Sequence, residues 1–189
     1  MRPVAITGCA LGLPARPGDP ASLVFPGAGD AHQGPVPADT LLRDGVPART
    51  RRRLSRSSLM VLGSAMAALE DAGALDPDLR LGLASVLGTS YGEISGSCRM
   101  FEDGLGPGMS PTLFHNSVHN APLGYLAIVS GIRGPSLTLS DSTLSGEEAL
   151  AEALAMIGDG TVKGAIAGSG DESCPSFFSP CWREGEDAP

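Results

Sequence analysis

The stretch GIRGPS, residues 131–136, decides how the rest of this chain is interpreted. A helical pattern precedes it over residues 112–130 and stops at Gly131. Pro122 must kink that helix or divide it in two, because proline has no amide proton to donate. Leu137 to Leu139 follow as a short apolar run that predicts a strand. The sequence therefore places a helix end, a Gly-Pro turn and a strand in succession.

Helical and strand patterns alternate on both sides of that stretch. Residues 55–72 predict a helix capped by Ser55 or Ser57 and ended by Gly73, and residues 81–87 predict a strand that is apolar throughout. Residues 144–157 predict a helix closed by Gly158, and residues 162–167 a second buried strand. Such alternation predicts an α/β fold with a mostly parallel sheet.

The remaining segments carry turn residues rather than periodic patterns. Residues 4–7 predict a short buried strand that ends at Gly8. Residues 13–50 are dense in Pro, Gly, Ala and Asp and predict a surface excursion, and residues 104–111 predict a Gly-rich loop. The tail, residues 174–189, has no predicted structure. We expect a single domain over residues 1–189.

Composition limits the classes of function. The 189 residues are 42% hydrophobic and carry a formal net charge of −8. A nucleic-acid surface is not expected, since the basic residues concentrate in one run, which is typical of a solvated helix entry or a docking patch: Arg49, Arg51, Arg52, Arg53 and Arg56. No apolar stretch reaches the ~20 residues that cross a bilayer, and residues 1–10 lack a signal-peptide core. A cytoplasmic protein without a membrane partner is expected.

The cysteines are too far apart to indicate a metal site. Cys9, Cys98, Cys174 and Cys181 form no CxxC pair. In a reducing compartment, widely spaced cysteines are expected to be free thiols.

Four segments, read in order, resemble the β-ketoacyl synthase family of the thiolase-like fold. The first is an arginine-led helix that ends in Glu-Asp-Ala-Gly, residues 53–73, and the second lies at the family's Gly-Thr-Gly loop, residues 88–92. The third is Asn120 with residues 126–136, which include the specific Gly-x-Arg-Gly-Pro-Ser run. The fourth, residues 165–172, is similar to an Ala-Gly-Gly-x-Glu strand end. They cover most of residues 53–172. The resemblance is therefore to the N-terminal half of a family member, and it implies a thiolase-like half-fold.

The resemblance also implies where a catalytic cysteine would stand. In condensing members a cysteine begins the central helix at a fixed distance after Gly-Pro-Ser, and the same distance here leads to Thr143. A helix N-terminus lowers the pKa of a thiol, whereas a threonine hydroxyl needs a neighbouring base. The catalytic histidines of the family lie in its other half. We therefore expect Thr143 to be a degenerate nucleophile position and the chain alone not to catalyse condensation.

The helix predicted at residues 144–157 also argues against catalysis of condensation by this chain. At about 100° per residue, one side carries Glu147, Glu148 and Glu152, and the other is apolar: Ala149, Leu150, Ala153, Leu154, Met156 and Ile157. The central helix of the family is packed between two sheets and needs apolar surface all round. We expect that a second sheet is absent or that a basic partner meets the glutamates. Glutamates in the first turn would also repel an anionic sulfur, although they are equally typical of a solvated helix start.

Two other motifs suggest different chemistry, and a nucleotide site finds no support. Residues 88–92 match the GxSxG elbow of α/β hydrolases, with Ser90 as nucleophile and Asp141 or Asp171 as the acid, but no histidine follows either aspartate. His115 and His119 have the spacing of a zinc pair on one helix, yet no third ligand is evident, and structural histidines are the simpler interpretation. The Gly-rich turns match neither phosphate-binding motif, so no nucleotide cofactor is expected.

The sequence thus predicts a protein that acts through its surface. Chain-length factors resemble synthases without the cysteine; they pair with an active synthase and help to shape the channel for the growing chain. Family dimers pair through the strand after Gly-Pro-Ser, here Leu137 to Ser140. We expect a heterodimer with a full-length ketosynthase, or a homodimer, in fatty acid, polyketide or aryl polyene biosynthesis. The alternatives are a module that binds an acyl carrier protein or acyl group through the arginine run, and a remnant without function.

Overall fold

The computed structural model describes residues 4–10, 12–13, 16–17, 46–102, 110–172 and 174. Its helices, in chain order, are α1 (Ala48–Arg51), α2 (Arg56–Asp71), α3 (Pro77–Leu81), α4 (Ile94–Glu102), α5 (Pro111–His115), α6 (Ala121–Ser130) and α7 (Ser145–Gly158), the last preceded by a 3₁₀ turn at Ser142–Leu144. Its strands are β1 (Gly12–Leu13), β2 (Arg16–Pro17), β3 (Ala84–Gly88), β4 (Ser136–Leu139) and β5 (Ala165–Ser169).

A parallel three-stranded sheet organises the described residues. Its strand order is β4-β3-β5, and β3 is buried along its whole length. One face packs on α7 through a cluster that includes Ala84, Val86 and Ala149. The other face packs on α2 and α6 through Leu87, Leu62 and Leu126. The predicted α/β fold with a mostly parallel sheet is confirmed, because helices cover both faces of β3.

Local sequence signals explain where the helices begin and end. The Ser55 side chain caps α2 by accepting a hydrogen bond from the amide of Ser58 at 2.9 Å. The helix predicted over residues 112–130 is divided into α5 and α6, and Pro122 lies in the first turn of α6, where its missing amide proton costs nothing. Gly131 ends α6 with φ of 80°, a left-handed conformation that favours glycine.

The GIRGPS stretch brings the end of α6 against the start of β3. A Cβ atom on Gly134 would overlap the carbonyl oxygen of Leu83, so the chain can pass here only without a side chain. Pro135 then accepts a hydrogen bond from the amide of Ser85 at 2.8 Å and starts the β3–β4 ladder. The glycine and proline of this motif therefore set the register of the edge strand β4.

The structure corrects several predicted boundaries. Residues 4–7 form no strand and Ile6 is 80% exposed, because no described strand pairs with them. The strand predicted at 81–87 is Ala84–Gly88, since Leu81 ends α3 instead. The second strand begins at Ala165 rather than residue 162, and it is half-buried to exposed because it lies at the sheet edge.

Other predictions fall on residues that are only partly described. Within the expected excursion at residues 13–50, β1 and β2 pair antiparallel and α1 occupies Ala48–Arg51, while residues 18–45 lie outside the described residues. Most of the loop predicted at residues 104–111 and nearly all of the tail at 174–189 lie outside them too, as does Cys181. Within the described ranges, no helix is long and apolar enough to cross a membrane.

Candidate functional site

The candidate site lies where the three parallel strands end. The segments that follow β3, β4 and β5 meet there, as the carboxyl ends of parallel strands do in open α/β sheets. The Asp171 carboxylate, after β5, accepts a hydrogen bond from the Thr89 hydroxyl at 2.6 Å and from the amides of Ser90 and Tyr91 at 2.9 Å each. Asp171 therefore fixes the loop after β3.

A second set of hydrogen bonds fixes the loop after β4. The Ser142 carbonyl accepts from the Ser90 hydroxyl at 2.6 Å and from the Ser145 hydroxyl at 2.7 Å. The Ser145 hydroxyl in turn accepts from the Asp141 amide at 2.9 Å. Ser142 has φ of 49°, a conformation that is uncommon for residues other than glycine. The loops after β3, β4 and β5 thus form one connected unit.

Thr143 lies in the 3₁₀ turn at the head of α7, which is where the resemblance implies the nucleophile. Its side chain is exposed. Among the described residues, no imidazole or carboxylate is hydrogen-bonded to its hydroxyl. The arrangement therefore presents an ordinary alcohol beside a helix N-terminus, with no base to take its proton.

The histidines do not lie on one helix face. His115 ends α5, whereas His119 lies in the turn before α6, because the helix is divided. His115 contacts the ring of Tyr125 edge-on with centroids 5.7 Å apart. The His119 ring occupies the space that a Cβ atom on Gly92 would need. Both rings pack locally, and the described residues contain no cluster of metal-ligating side chains.

Ser90 is placed as a structural donor rather than as a nucleophile. Its hydroxyl proton is committed to the Ser142 carbonyl, and Asp171 accepts from the Ser90 amide rather than from a histidine. We expect no labelling of Ser90 by a serine-reactive fluorophosphonate, as read by mass spectrometry. We expect Ser90→Ala to lower the free energy of unfolding by about 1 kcal/mol, the usual worth of one hydrogen bond. Labelling of Ser90 would restore the hydrolase interpretation.

Glu93 is a buried group that the sequence pattern did not single out. It is completely buried, and its Oε1 accepts hydrogen bonds from the hydroxyls of Ser55 at 2.6 Å and Ser58 at 3.0 Å. Burial raises the pKa of Glu93 to about 7; the two serines oppose this shift, and the charge of Glu172 adds to it. A glutamate directly before a weak helix pattern carries no sequence signal of burial.

The arginine surface consists of Arg49, Arg51, Arg52, Arg53 and Arg56, all with exposed side chains. It spans α1 and the start of α2. The backbone beneath it is anchored, because the Arg53 carbonyl accepts hydrogen bonds from the Asn116 amide group at 2.6 Å and from the Tyr125 hydroxyl at 3.1 Å. The structure thus shows five guanidinium groups on a fixed backbone.

The apolar side of α7 is narrower than the sequence predicts. Ala149, Ala153 and Met156 are buried against the sheet, but Leu150 is 47% and Leu154 41% exposed. Both leucines lie on the helix at about 100° or more from Ala149, beyond the contact with the sheet. Glu147 and Glu148 are exposed, as expected. A stripe of two leucines therefore lies uncovered among the described residues.

Comparison with known proteins identifies the family. The model for the β-ketoacyl synthase N-terminal domain matches residues 29–189. No curated protein matches the chain.

Three solved structures show the same fold. A ketosynthase (ApeO) in complex with its chain length factor (ApeC) from Xenorhabdus doucetiae is 24% identical with a TM-score of 0.57, over 73% of this chain and 55% of that one. A β-ketoacyl synthase from Burkholderia phymatum is 23% identical with a TM-score of 0.59, over 74% and 35%. The third structure, AntDE:AntF, is a type II polyketide acyl-carrier protein in complex with its ketosynthase bound to the hexaketide. Its matched chain is 21% identical with a TM-score of 0.60, over 72% of this chain and 40% of that one.

The chain spans about half or less of the length of these neighbours. Its parallel sheet with helices on both faces is the thiolase-like arrangement that they share. Since the family model covers most of its length, the chain belongs to the family of β-ketoacyl synthase N-terminal domains.

Proposed function

We propose that this chain is a non-catalytic subunit of chain-length-factor type that pairs with an active ketosynthase, in the cytoplasm, during fatty acid, polyketide or aryl polyene biosynthesis. The observation that carries the proposal is Thr143. The head of α7 holds an exposed hydroxyl at the position where the resemblance implies sulfur in a condensing member of the family, and no described base is hydrogen-bonded to it. Without a thiolate, this position does not accept an acyl chain by the family's route.

The edge of β4 supports the pairing. Among the described residues β4 pairs with β3 alone, so one side of its backbone has no strand partner. The amides of Ser85 and Thr89 donate to the carbonyls of Pro135 and Leu139, which places the backbone groups of Ser136 and Thr138 on the opposite, outer side. An unpaired strand edge is a template for a strand of another chain.

The exposed leucines of α7 are a second apolar feature. Leu150 and Leu154 lie on the helix that packs mainly against β3 and β5 and less against β4, and Leu144, 54% exposed, precedes that helix. Exposed apolar side chains fit a protein partner better than solvent. The Xenorhabdus doucetiae neighbour is a ketosynthase bound to its chain length factor, which supports the class of partner proposed here.

The test combines co-purification with product analysis. The chain is co-expressed with the ketosynthase encoded nearest to its gene, one subunit is tagged, and the polyketide or fatty acyl products are measured by mass spectrometry with and without the chain. We expect co-elution and a change in product length. A ketosynthase that neither binds the chain nor changes its products would contradict the proposal, as would acylation of Thr143 in the isolated protein by an acyl thioester.

A second candidate function is binding of an acyl carrier protein. The arginine surface favours it, because five exposed guanidinium groups are concentrated on a protein whose formal net charge is −8. Acyl carrier proteins are acidic, so the charges are complementary. One of the structural neighbours is a ketosynthase in complex with an acyl-carrier protein.

The charge-reversed variant Arg49→Glu/Arg52→Glu tests this second function. We expect about tenfold weaker binding to the acyl carrier protein in surface plasmon resonance, together with weaker binding of the natural protein as salt increases, since exposed charges are screened. Arg133→Glu, at an exposed arginine in the turn before β4, is the matched control and should bind as the natural protein does. Equal affinity for all three proteins would reject the arginine surface as the docking site.

A further inference from the structure

A pair of buried carboxyl groups lies beside the candidate site, where α4 meets the segment that follows β5. Glu93 immediately precedes α4 and is completely buried, and Glu172 comes three residues after β5 and is 4% exposed. Two carboxyl groups in one buried cluster are uncommon, because burial disfavours the charged form of each and like charges repel. Nothing in the proposed pairing with a ketosynthase uses this pair.

Each carboxyl group has one satisfied and one unsatisfied oxygen. Glu93 Oε1 accepts from Ser55 and Ser58, at the start of α2, and Glu172 Oε1 accepts from the Ser95 amide in α4 at 3.2 Å. The other oxygen of each group, Oε2, is buried without a hydrogen-bond partner among the described residues. A buried, unpartnered oxygen is costly on an ionised carboxylate and much less so on a neutral carboxyl.

Within the part of the chain that the structure describes, no positive charge is recorded as acting on Glu93. From α6, Tyr125 interacts with Glu93; burial raises the pKa of Tyr125, and Arg53 acts on that phenol in the opposite direction. From α4, Cys98 interacts with Glu172, and burial raises the pKa of its thiol to about 11; a hydrogen bond with Cys174 and the charges of Cys174, Glu102 and Glu172 act in the same direction. The Cys98 thiol is therefore neutral at physiological pH.

We propose that Glu93 and Glu172 form a proton-dependent clasp, which holds Asp171, Glu172 and Cys174 against α4 while Glu93 is neutral and releases them when Glu93 ionises beside the second carboxyl group. Release of this segment would affect the candidate site directly, because the segment is hydrogen-bonded to the site loops. Asp171 is the neighbour of Glu172 and holds Thr89, Ser90 and Tyr91, and Ser90 in turn holds the Ser142 carbonyl. Opening of the clasp therefore loosens the loops around Thr143.

The direction of the pH dependence follows from Glu93. Its pKa is about 7 in the folded chain against an ordinary value of 4.5, so the folded state holds this proton more tightly than the unfolded state. The stabilisation is fully present below pH 4.5 and is lost as the pH rises through about 7. Because each pKa unit is a tenfold factor and the two values differ by about 2.5 units, the folded-to-unfolded ratio is expected to fall by roughly 300-fold from acid pH to above the folded-state pKa.

The test measures urea unfolding of the full chain between about pH 5.5 and about pH 8.5, on either side of the Glu93 pKa of about 7, for the natural protein, Glu93→Gln, Glu172→Gln and the double variant. Glutamine keeps the shape and stays neutral. We expect Glu93→Gln to remove most of the pH dependence and to be the more stable protein at high pH. Glu172→Gln should reduce the dependence, and the double variant should differ from the sum of the single effects. Glu148→Gln, on the exposed side of α7, should keep the natural profile.

Hydrogen exchange locates the motion. From the acid to the alkaline end of this pH range, the amides of Ser90 and Tyr91 should lose protection, so that their exchange rates rise by more than the intrinsic rates do, in the natural protein but not in Glu93→Gln. Parallel pH profiles for the natural protein and Glu93→Gln would overturn the clasp, as would unchanged protection of these amides. If Glu93→Gln does not fold, Glu172→Gln decides: a reduced pH dependence supports the clasp, and an unchanged one overturns it. These readouts need no ketosynthase, so they are independent of the proposed function.

Discussion

Replacing Thr138 by proline is expected to weaken binding to the proposed ketosynthase partner about ten- to a hundredfold while leaving the chain folded. The backbone groups of Thr138 point away from β3, because the neighbouring carbonyls of Pro135 and Leu139 accept from β3. Proline therefore removes a donor from the outer edge and leaves the inner ladder intact. One acceptor left unpaired at a buried interface costs about 1–3 kcal/mol, which lowers affinity about ten- to a hundredfold.

Thr138→Val is the matched control for this variant. It keeps the backbone amide and the shape of the side chain, and it removes a buried hydroxyl that has no hydrogen-bond partner among the described residues. We expect Thr138→Val to co-purify with the ketosynthase and to be at least as stable as the natural protein in urea unfolding. A proline variant that is folded by circular dichroism and still binds the ketosynthase with the natural affinity would exclude the β4 edge as the interface.

Replacing Gly88 by alanine is expected to lower the free energy of unfolding more than Ser90→Ala or Gly168→Ala does. A Cβ atom at the end of β3 would overlap the carbonyl group of Ser145, in the first turn of α7. That neighbour is backbone, so it moves only if α7 shifts away from the sheet. Overpacking of this kind costs typically 1–3 kcal/mol, and we expect about 3 kcal/mol, or a fall in Tm of about 10 °C in calorimetry.

Gly168→Ala separates this steric effect from the general effect of alanine in a strand. Gly168 lies in the neighbouring strand β5 and pairs with Leu87 of β3. A Cβ atom added to Gly168 would have no atom of another residue within 4 Å. We expect its Tm to stay within about 2 °C of the natural protein, as for other substitutions into open space. If both variants lose stability equally, close contact between β3 and α7 is not what requires glycine at position 88.

The features that the sequence predicted well depend on local chemistry. Ser55 caps α2, Pro122 begins α6 and Gly131 ends it, and each of these residues acts within one helical turn. The distance counted from Gly-Pro-Ser leads to Thr143, which lies at the head of α7, while its equivalence to a nucleophile position stays a prediction. Where the controlling interactions are short in sequence, a pattern contains the information needed to place an element.

The features that the sequence mispredicted depend on contacts between distant residues. Residues 4–7 have the composition of a strand, but a strand needs a partner, and none of the described strands supplies one. The helical periodicity of α7 identifies an apolar side but not how much of it the sheet covers, so Leu150 and Leu154 were expected to be buried. Glu93 becomes buried only because α2, 38 residues earlier in the chain, brings Ser55 against it.

The one-sided pairing of β4 also has a consequence for expression of the protein in the cell. A strand edge without a described neighbour recruits whatever extended backbone is available, including that of identical molecules. Synthesis in excess of the proposed partner subunit would therefore favour self-association and loss into insoluble material. Balanced supply of both polypeptides, as from adjacent reading frames translated together, would keep the edge occupied from the moment it forms.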